Sequence, residues 1–215
     1  MNMRRTSLAI CMSLFVCVVA LTAVVAAARP RPAHDGPVTP PRVPASVEVP
    51  GNLKAFLEGH ATGTQNYVCL PSGASVAWTF VAPQATLFDD DRQQIITHFL
   101  SGNPSESGTP RATWQHSADT SAVWAVTDGQ SSDPTFVKPG AIPWFRLRVV
   151  GAQAGPTGRH TLTPTVYIQR LNTVGGSAPP TGCAQATDVG KKVVVPYKAD
   201  YLFYERRGRD AAARR

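Results

Sequence analysis

The sequence predicts an all-β domain, a single antiparallel β-sandwich or barrel of about ten short strands held by one disulfide. Three observations carry this reading. From residue 51 onward the apolar residues come in short runs broken by Gly, Pro, Asn, Asp and Ser; β-branched and aromatic types dominate those runs; and helical spacing is nowhere sustained. In chain order the candidate strands are 54–57, 65–70, 75–81, 85–88, 95–99, 112–115, 122–126, 144–150, 163–172, 192–196 and 201–205. Asp89-Asp90-Asp91 separates two of them and reads as a hairpin loop. The clearest strand is Trp144-Phe145-Arg146-Leu147-Arg148-Val149, in which the two arginines share one face and Phe145, Leu147 and Val149 the other, as a half-exposed strand requires.

Ahead of this body lie two segments of different character. Arg4 and Arg5, an apolar run from Leu8 to Val25 and a small-residue end at Ala26-Ala27-Ala28 form the three parts of an export signal over residues 1–28. The apolar run approaches membrane-spanning length, so an uncleaved anchor is the rival reading; after cleavage no stable membrane span is expected. Residues 29–50 are Pro-rich, with seven prolines and few apolar groups to bury, and read as an extended linker. The β-domain is assigned to 51–205 and a basic, disordered tail to 206–215. An exported product, secreted or held in the cell envelope or periplasm, is the expected outcome.

Net charge is +7, from 21 Lys and Arg against 14 Asp and Glu, but the excess sits in the flanks. The body from Ser46 to Tyr204 is neutral. A nucleic-acid partner is therefore not expected, because phosphate neutralisation needs basic groups clustered on a folded surface. Without residues 1–28 only Cys69 and Cys183 remain, and in an exported chain two lone thiols pair. Neither belongs to a C-x-x-C, which argues against a redox role.

Several strings together resemble one family: Gly63-Thr64-Gln65-Asn66-Tyr67-Val68-Cys69, Trp78 with Pro83-Gln84-Ala85-Thr86-Leu87-Phe88-Asp89, Ile142-Pro143-Trp144, Ile168-Gln169-Arg170, and Val195-Pro196-Tyr197-Lys198-Ala199-Asp200-Tyr201. Over the whole body the chain is similar to the DUF3455 family of exported bacterial and fungal proteins. The resemblance implies no activity and no site residue. Some fungal members are labelled malate dehydrogenase, a label these residues do not support: Gly59 to Gly63 and Gly151 to Gly158 lack the G-x-G-x-x-G spacing and a following helix. A dinucleotide-dependent dehydrogenase is rejected, and no cofactor is expected.

Motifs for other chemistries are missing as well. There is no H-E-x-x-H and no G-x-S-x-G, and Gly190-Lys191-Lys192 lacks the rest of a phosphate loop. The five histidines stand singly without ligand spacing, so no metal is expected. His116, Asp119 and Ser121 have the residue types of a hydrolytic triad, but three polar residues within one Ser/Thr-rich segment read more simply as a turn. Paired carboxylates drawn from Glu48, Glu58, Glu106 or the aspartates would have to meet across a cleft.

The remaining candidates surround the aromatic residues. Trp78, Trp124 and Trp144 lie in apolar strand patterns and read as core. Trp114, flanked by Arg111, Gln115 and His116, is either a core residue with polar neighbours or an exposed stacking platform of the kind that binds sugars. His98, next to Phe99, is either a hydrogen-bonded, partly buried histidine or a ligand contact. The weak binding candidates are thus Trp114, His116, Arg111 and His98, with no catalytic residue assigned. The expectation is a non-catalytic exported domain that binds an extracellular ligand or surface polymer, carbohydrate among them; the alternative is a secreted hydrolase acting on an extracellular polymer or small molecule.

Overall fold

The computed structural model describes residues 38–208, and its strands turn alternate side chains to the two faces of one sheet. Eight strands follow one another: β1 (Leu53–Ser72), β2 (Ser75–Phe88), β3 (Gln94–Asn103), β4 (Thr109–His116), β5 (Ala122–Ser131), β6 (Trp144–Gln153), β7 (Tyr167–Gly175) and β8 (Lys192–Arg206). Each is antiparallel to the next, and β8 returns to pair with β1, so the sheet closes into a barrel. Closure pairs every strand with two neighbours over at least part of its length, which leaves only local stretches of free edge, the hazard that open sheets must otherwise manage.

Eleven candidate runs resolve into eight strands because three pairs of them are continuous. Runs 54–57 and 65–70 both belong to β1, runs 75–81 and 85–88 to β2, and runs 192–196 and 201–205 to β8. The intervening Gly and Pro residues look like breaks but serve the sheet. Gly63 lets β1 approach β2 closely, since a Cβ there would lie 2.2 Å from the Gln84 carbonyl oxygen. Pro83 precedes the first β2–β3 pair, Ala85 with His98. Pro196 similarly precedes the end of β7–β8 pairing at Gly175 with Tyr197. Both prolines therefore occupy stretches with a neighbour on one side only, where a missing N–H is tolerated.

Two apolar clusters lie on either side of the sheet. Inside are Leu87, Ile96, Trp114, Val123, Leu147, Ile168 and Phe203; outside are Leu53, Val137, Trp144, Leu171, Leu202 and Tyr204. Strand β6 follows its sequence pattern, with Phe145, Leu147 and Val149 against the inner cluster. The outer cluster corrects the linker reading for residues 38–50. Val38, Val43 and Val49 pack against it, and Val47, in a 3-10 turn at Ala45–Val47, is fully buried. Gln169 Nε2 donates to the Val47 carbonyl at 2.7 Å, and Arg146 Nη1 donates to that of Glu48 at 2.6 Å. The Tyr204 hydroxyl donates to Gln169 Oε1, so both ends of that buried amide are engaged. This segment is thus a cladding of the barrel, not a spacer. The assigned export signal and residues 29–37 lie outside the described residues, as do 209–215. Arg206 itself ends β8, and Arg207 Nε donates to the Leu53 carbonyl at 3.1 Å.

Cys69 and Cys183 form the expected bridge, with Cα atoms 5.6 Å apart and a sequence separation of 114. It pins the far part of β1 to the β7–β8 connection, whose backbone already meets β1 through Cys69 N–H to the Lys191 carbonyl at 2.8 Å. A loop of this length gives about 4–5 kcal/mol in the chain-entropy model. The double substitution Cys69→Ala/Cys183→Ala is expected to lower the unfolding free energy by about 2–5 kcal/mol, read as a lower urea midpoint with the barrel signature in circular dichroism retained at low denaturant.

Candidate functional site

The barrel interior is unevenly filled. Towards one end Leu87, Ile96, Val123, Ile168 and Phe203 pack together, joined by the fully buried Leu162 from the β6–β7 connection. Towards the other, the side chains leave a cavity of about 290 Å³. Two features of the sequence create it. Ala112 on β4 and Ala125 on β5 project inward with single methyl groups where a larger residue would fill the space. Farther round the wall, β2 upstream of Ala85 has no pairing with β3, so the wall parts there. Phe80 and Leu100, from the two separating strands, line the cavity and are 47% and 40% exposed, which marks the mouth.

Deeper in, the lining becomes aromatic and then polar. The rings of His98 and Trp114, cross-strand partners on β3 and β4, stack 4.2 Å apart at 12°. Tyr201 meets the Trp114 ring edge-on at 5.7 Å, and its hydroxyl lies 3.2 Å from that of Tyr197. His98 Nδ1 is 2.9 Å from the Thr113 carbonyl; because a carbonyl only accepts, Nδ1 carries the proton and Nε2 is left as an acceptor. Burial drives the His98 pKa down to about 3, the hydrogen bond to Thr113 opposing and the nearby Arg170 charge reinforcing it. The imidazole is therefore neutral in the folded protein at physiological pH. Burial likewise raises the Tyr201 hydroxyl, with Arg170 pulling the other way.

Arg170 is the unusual member. On β7, Ile168 and Arg170 share the inward face, and Arg170 is 7% exposed. Its guanidinium carbon sits 4.0 Å over the ring of Phe145, its register partner on β6, and Nη2 donates to the Pro143 carbonyl at 2.9 Å. Nε has no protein partner. The same holds for Trp114 Nε1 and Gln65 Nε2, although Gln65 lies close enough to Tyr197 to offset part of the burial effect on its hydroxyl. Three of the five unpartnered buried side-chain nitrogens among the described residues thus belong to side chains lining this one cavity. The lining contains no carboxylate.

The four residues singled out from sequence fare differently. Trp114 and His98 come together on the cavity wall, but Trp114 is fully buried, which corrects the exposed-platform reading. Arg111 contributes to the rim while its guanidinium is committed to Glu106, with Nε to Oε2 at 2.7 Å and Nη2 to Oε1 at 2.8 Å. These bonds, with one from Asn103, hold the Glu106 carboxyl at about 2. His116 does not reach the cavity. It stands at the packed end, where its Nδ1 is 3.1 Å from Asp119 Oδ1.

Asp119 is the hub of that end. It accepts from Ser121 N–H at 2.9 Å and Oγ at 2.7 Å, and from Thr161 N–H at 2.9 Å and Oγ1 at 2.6 Å. Burial would raise its pKa, but these four donors hold it far below the usual carboxylate range. A triad needs the serine hydroxyl on the histidine; here Ser121 Oγ donates to Asp119, accepts from Leu162 N–H at 3.1 Å and is fully buried. The trio ties a turn. Asp119→Ala is expected to cost about 3 kcal/mol or more, because it strands several buried donors.

A second polar group was invisible in the sequence. On the outer face, His60 and Asp200 are register partners across β1 and β8, with Nδ1 to Oδ1 at 2.7 Å, and the hairpin aspartate Asp90 reaches His60 Nε2 at 2.9 Å. Glu58 stands beside them, so that Glu58, His60 and Asp200 have donor atoms within 4.8 Å of one another. This corrects the reading of the histidines as isolated. Burial depresses His60, but its two carboxylate bonds outweigh that and raise its pKa, while burial and the charge of Asp200 raise Glu58.

Residues 50–205 match the family described as "Protein of unknown function (DUF3455)", and the chain belongs to that family. No curated protein and no solved structure matches it. Among the described residues no helix is long and apolar enough to cross a membrane.

The depressed pKa of His98 carries a prediction. With the folded value about 3 and the unfolded value near 6.5, the unfolded state binds the extra proton between them; this contribution is complete above about pH 6.5 and is lost as pH falls towards 3, at up to about 1.4 kcal/mol per pH unit. His60, with its raised pKa, works in the opposite sense, its contribution present at low pH and lost as pH rises. In urea melts between pH 6.5 and 4.5, His98→Phe is expected to flatten the acid loss seen in the parent protein. An unchanged slope would remove the assignment.

Proposed function

We propose that this member of the DUF3455 family is an exported, non-catalytic binding protein that takes a small molecule into its barrel lumen. The observation that carries this reading is the half-filled interior: one end is filled by buried apolar side chains, while the other keeps a cavity of about 290 Å³ that opens where β2 and β3 part. That volume is at the lower edge of the range for small-molecule sites, and an apolar wall with a few convergent polar groups is their usual construction. A polymer could engage such a site only through an end group, and the donor-rich, largely apolar lining suits a neutral sugar chain poorly. The hydrolase alternative needs paired acids or an activated nucleophile, and the lining residues include neither carboxylate, serine nor cysteine. Export is supported by the signal-like leader and by a disulfide, which persists in oxidising compartments.

The test is a thermal-shift screen of the folded domain against small aromatic and aliphatic molecules. A ligand at about 100 times its Kd adds about 2.7 kcal/mol, enough to move the midpoint by several degrees. Ala125→Leu, which extends a side chain into the cavity, is expected to leave a folded barrel and abolish the shift. Shifts that survive Ala125→Leu and Ala112→Leu alike would place binding elsewhere and sink the lumen reading.

A further inference from the structure

We infer that the lumen ligand is a small carboxylate with a flat or short apolar body, its carboxylate seated against Arg170 and its body against the His98–Trp114 stack. This rests on the lumen reading above and names the chemistry of the same site.

The argument starts from charge. Arg170 is 7% exposed, and no acidic side chain among the described residues forms an ion pair with it. The other arginine at the cavity, Arg111, is neutralised by Glu106 at the rim. A buried guanidinium without a counter-ion is expensive, and a carbonyl, an aromatic face and the neighbouring Tyr201 hydroxyl offset only part of the cost. Water in the cavity would not neutralise the charge. Nothing else in the lining does so either, since it holds no carboxylate and His98 is neutral. A barrel that keeps such a group in its interior gains from it when an anion arrives.

The hydrogen-bonding inventory points the same way. The side chains of Arg170 and Trp114 carry donors only, and Arg170 Nε, Trp114 Nε1 and Gln65 Nε2 make no hydrogen bond within the protein, although each of these atoms is covered by neighbouring side chains. A carboxylate offers about four lone-pair sites and no donor, the complement of this set. Carboxylate is favoured over a bulkier oxyanion because about 290 Å³, equivalent to roughly ten liquid waters, must also hold the rest of the molecule. The same lining carries the stacked rings of His98 and Trp114 and the apolar side chains of Leu100, Ala112, Ala125 and Leu147, which suit a ring or short chain.

The experiment uses probes matched in shape and differing in charge: benzoate against benzamide, and hexanoate against hexanamide, titrated into the folded protein by calorimetry. The expected result is that the anion of at least one pair binds about tenfold or more tightly than its amide, the scale of a charge-assisted hydrogen bond, and that Arg170→Met removes the preference while leaving weak binding of both. Amides that bind as well as the anions would overturn the carboxylate assignment and leave the lumen reading standing. If neither member of either pair binds, the lumen reading itself falls. Should Arg170→Met fail to fold, the side-chain Nε–H resonance of Arg170 in ¹⁵N-labelled parent protein reads the contact directly: a shift with benzoate and none with benzamide supports the assignment, and equal shifts reject it. Sulfate as the tightest of the anions tried would replace the carboxylate with a tetrahedral oxyanion and overturn the class named here.

Discussion

Pairing of β1 with both β2 and β8 is the constraint on which everything else depends. β1 is the longest strand, and it is hydrogen-bonded along one side to the strand that follows it and along the other to the last strand. This double engagement turns a meander into a ring, and the ring defines an inside. Only with an inside do Trp114, His98, Tyr201 and Arg170, from four different strands, face one another. The disulfide sits on the same strand, so the covalent frame reinforces the element that closes the sheet.

The two ends of the lumen solve opposite problems. At the packed end the polar groups are saturated: Asp119 receives every donor that the β4–β5 turn and the β6–β7 connection direct at it, and the apolar core lies directly against it. At the open end the balance is reversed: side chains lining a cavity carry nitrogens without a protein partner, and one of them is a cation with no acidic neighbour. An interior usually approaches crystal-like packing and pairs its buried polar groups. This barrel departs from both at one place while meeting both a few residues away on the same strands, which is the contrast on which the proposed binding role rests.

The legible part of this molecule was what local pattern encodes. The alternation in Trp144–Val149 gives the orientation of β6 directly, the triple aspartate gives the β2–β3 hairpin, and two lone cysteines give the bridge. Strand number was overcounted because Gly63, Pro83 and Pro196 were weighed as local breakers, whereas their tolerance depends on which neighbouring strand is present, a non-local fact. Val43, Val47 and Val49 were lost in a Pro-rich composition, although three valines at short spacing are themselves a burial signal. Trp114 was ambiguous for a physical reason: its neighbours Thr113 and Gln115 face the other side of the sheet, so polar company says nothing about its own burial. Arg170 was missed despite an available cue, a charge two residues from Ile168 on the inward face of an apolar strand. The His60–Asp200 pair joins positions 140 residues apart, which no local spacing reveals.

The ring also sets an order on how the chain can reach its native state. Because Leu53 pairs with Arg206 and Val68 with Lys192, the outer edge of β1 stays bare until β8 has been made and delivered. Every partial structure built from the earlier strands is an open sheet with two exposed edges and an uncovered apolar face, and the contacts that remove them carry the largest loop-closure cost in the molecule. Closure therefore depends on the most non-local contacts in the sheet, and a chain that has not yet made them presents strand edges to others of its kind. A fold that completes itself only with its last strand suits a polypeptide that is moved in an extended state and allowed to fold once it has arrived.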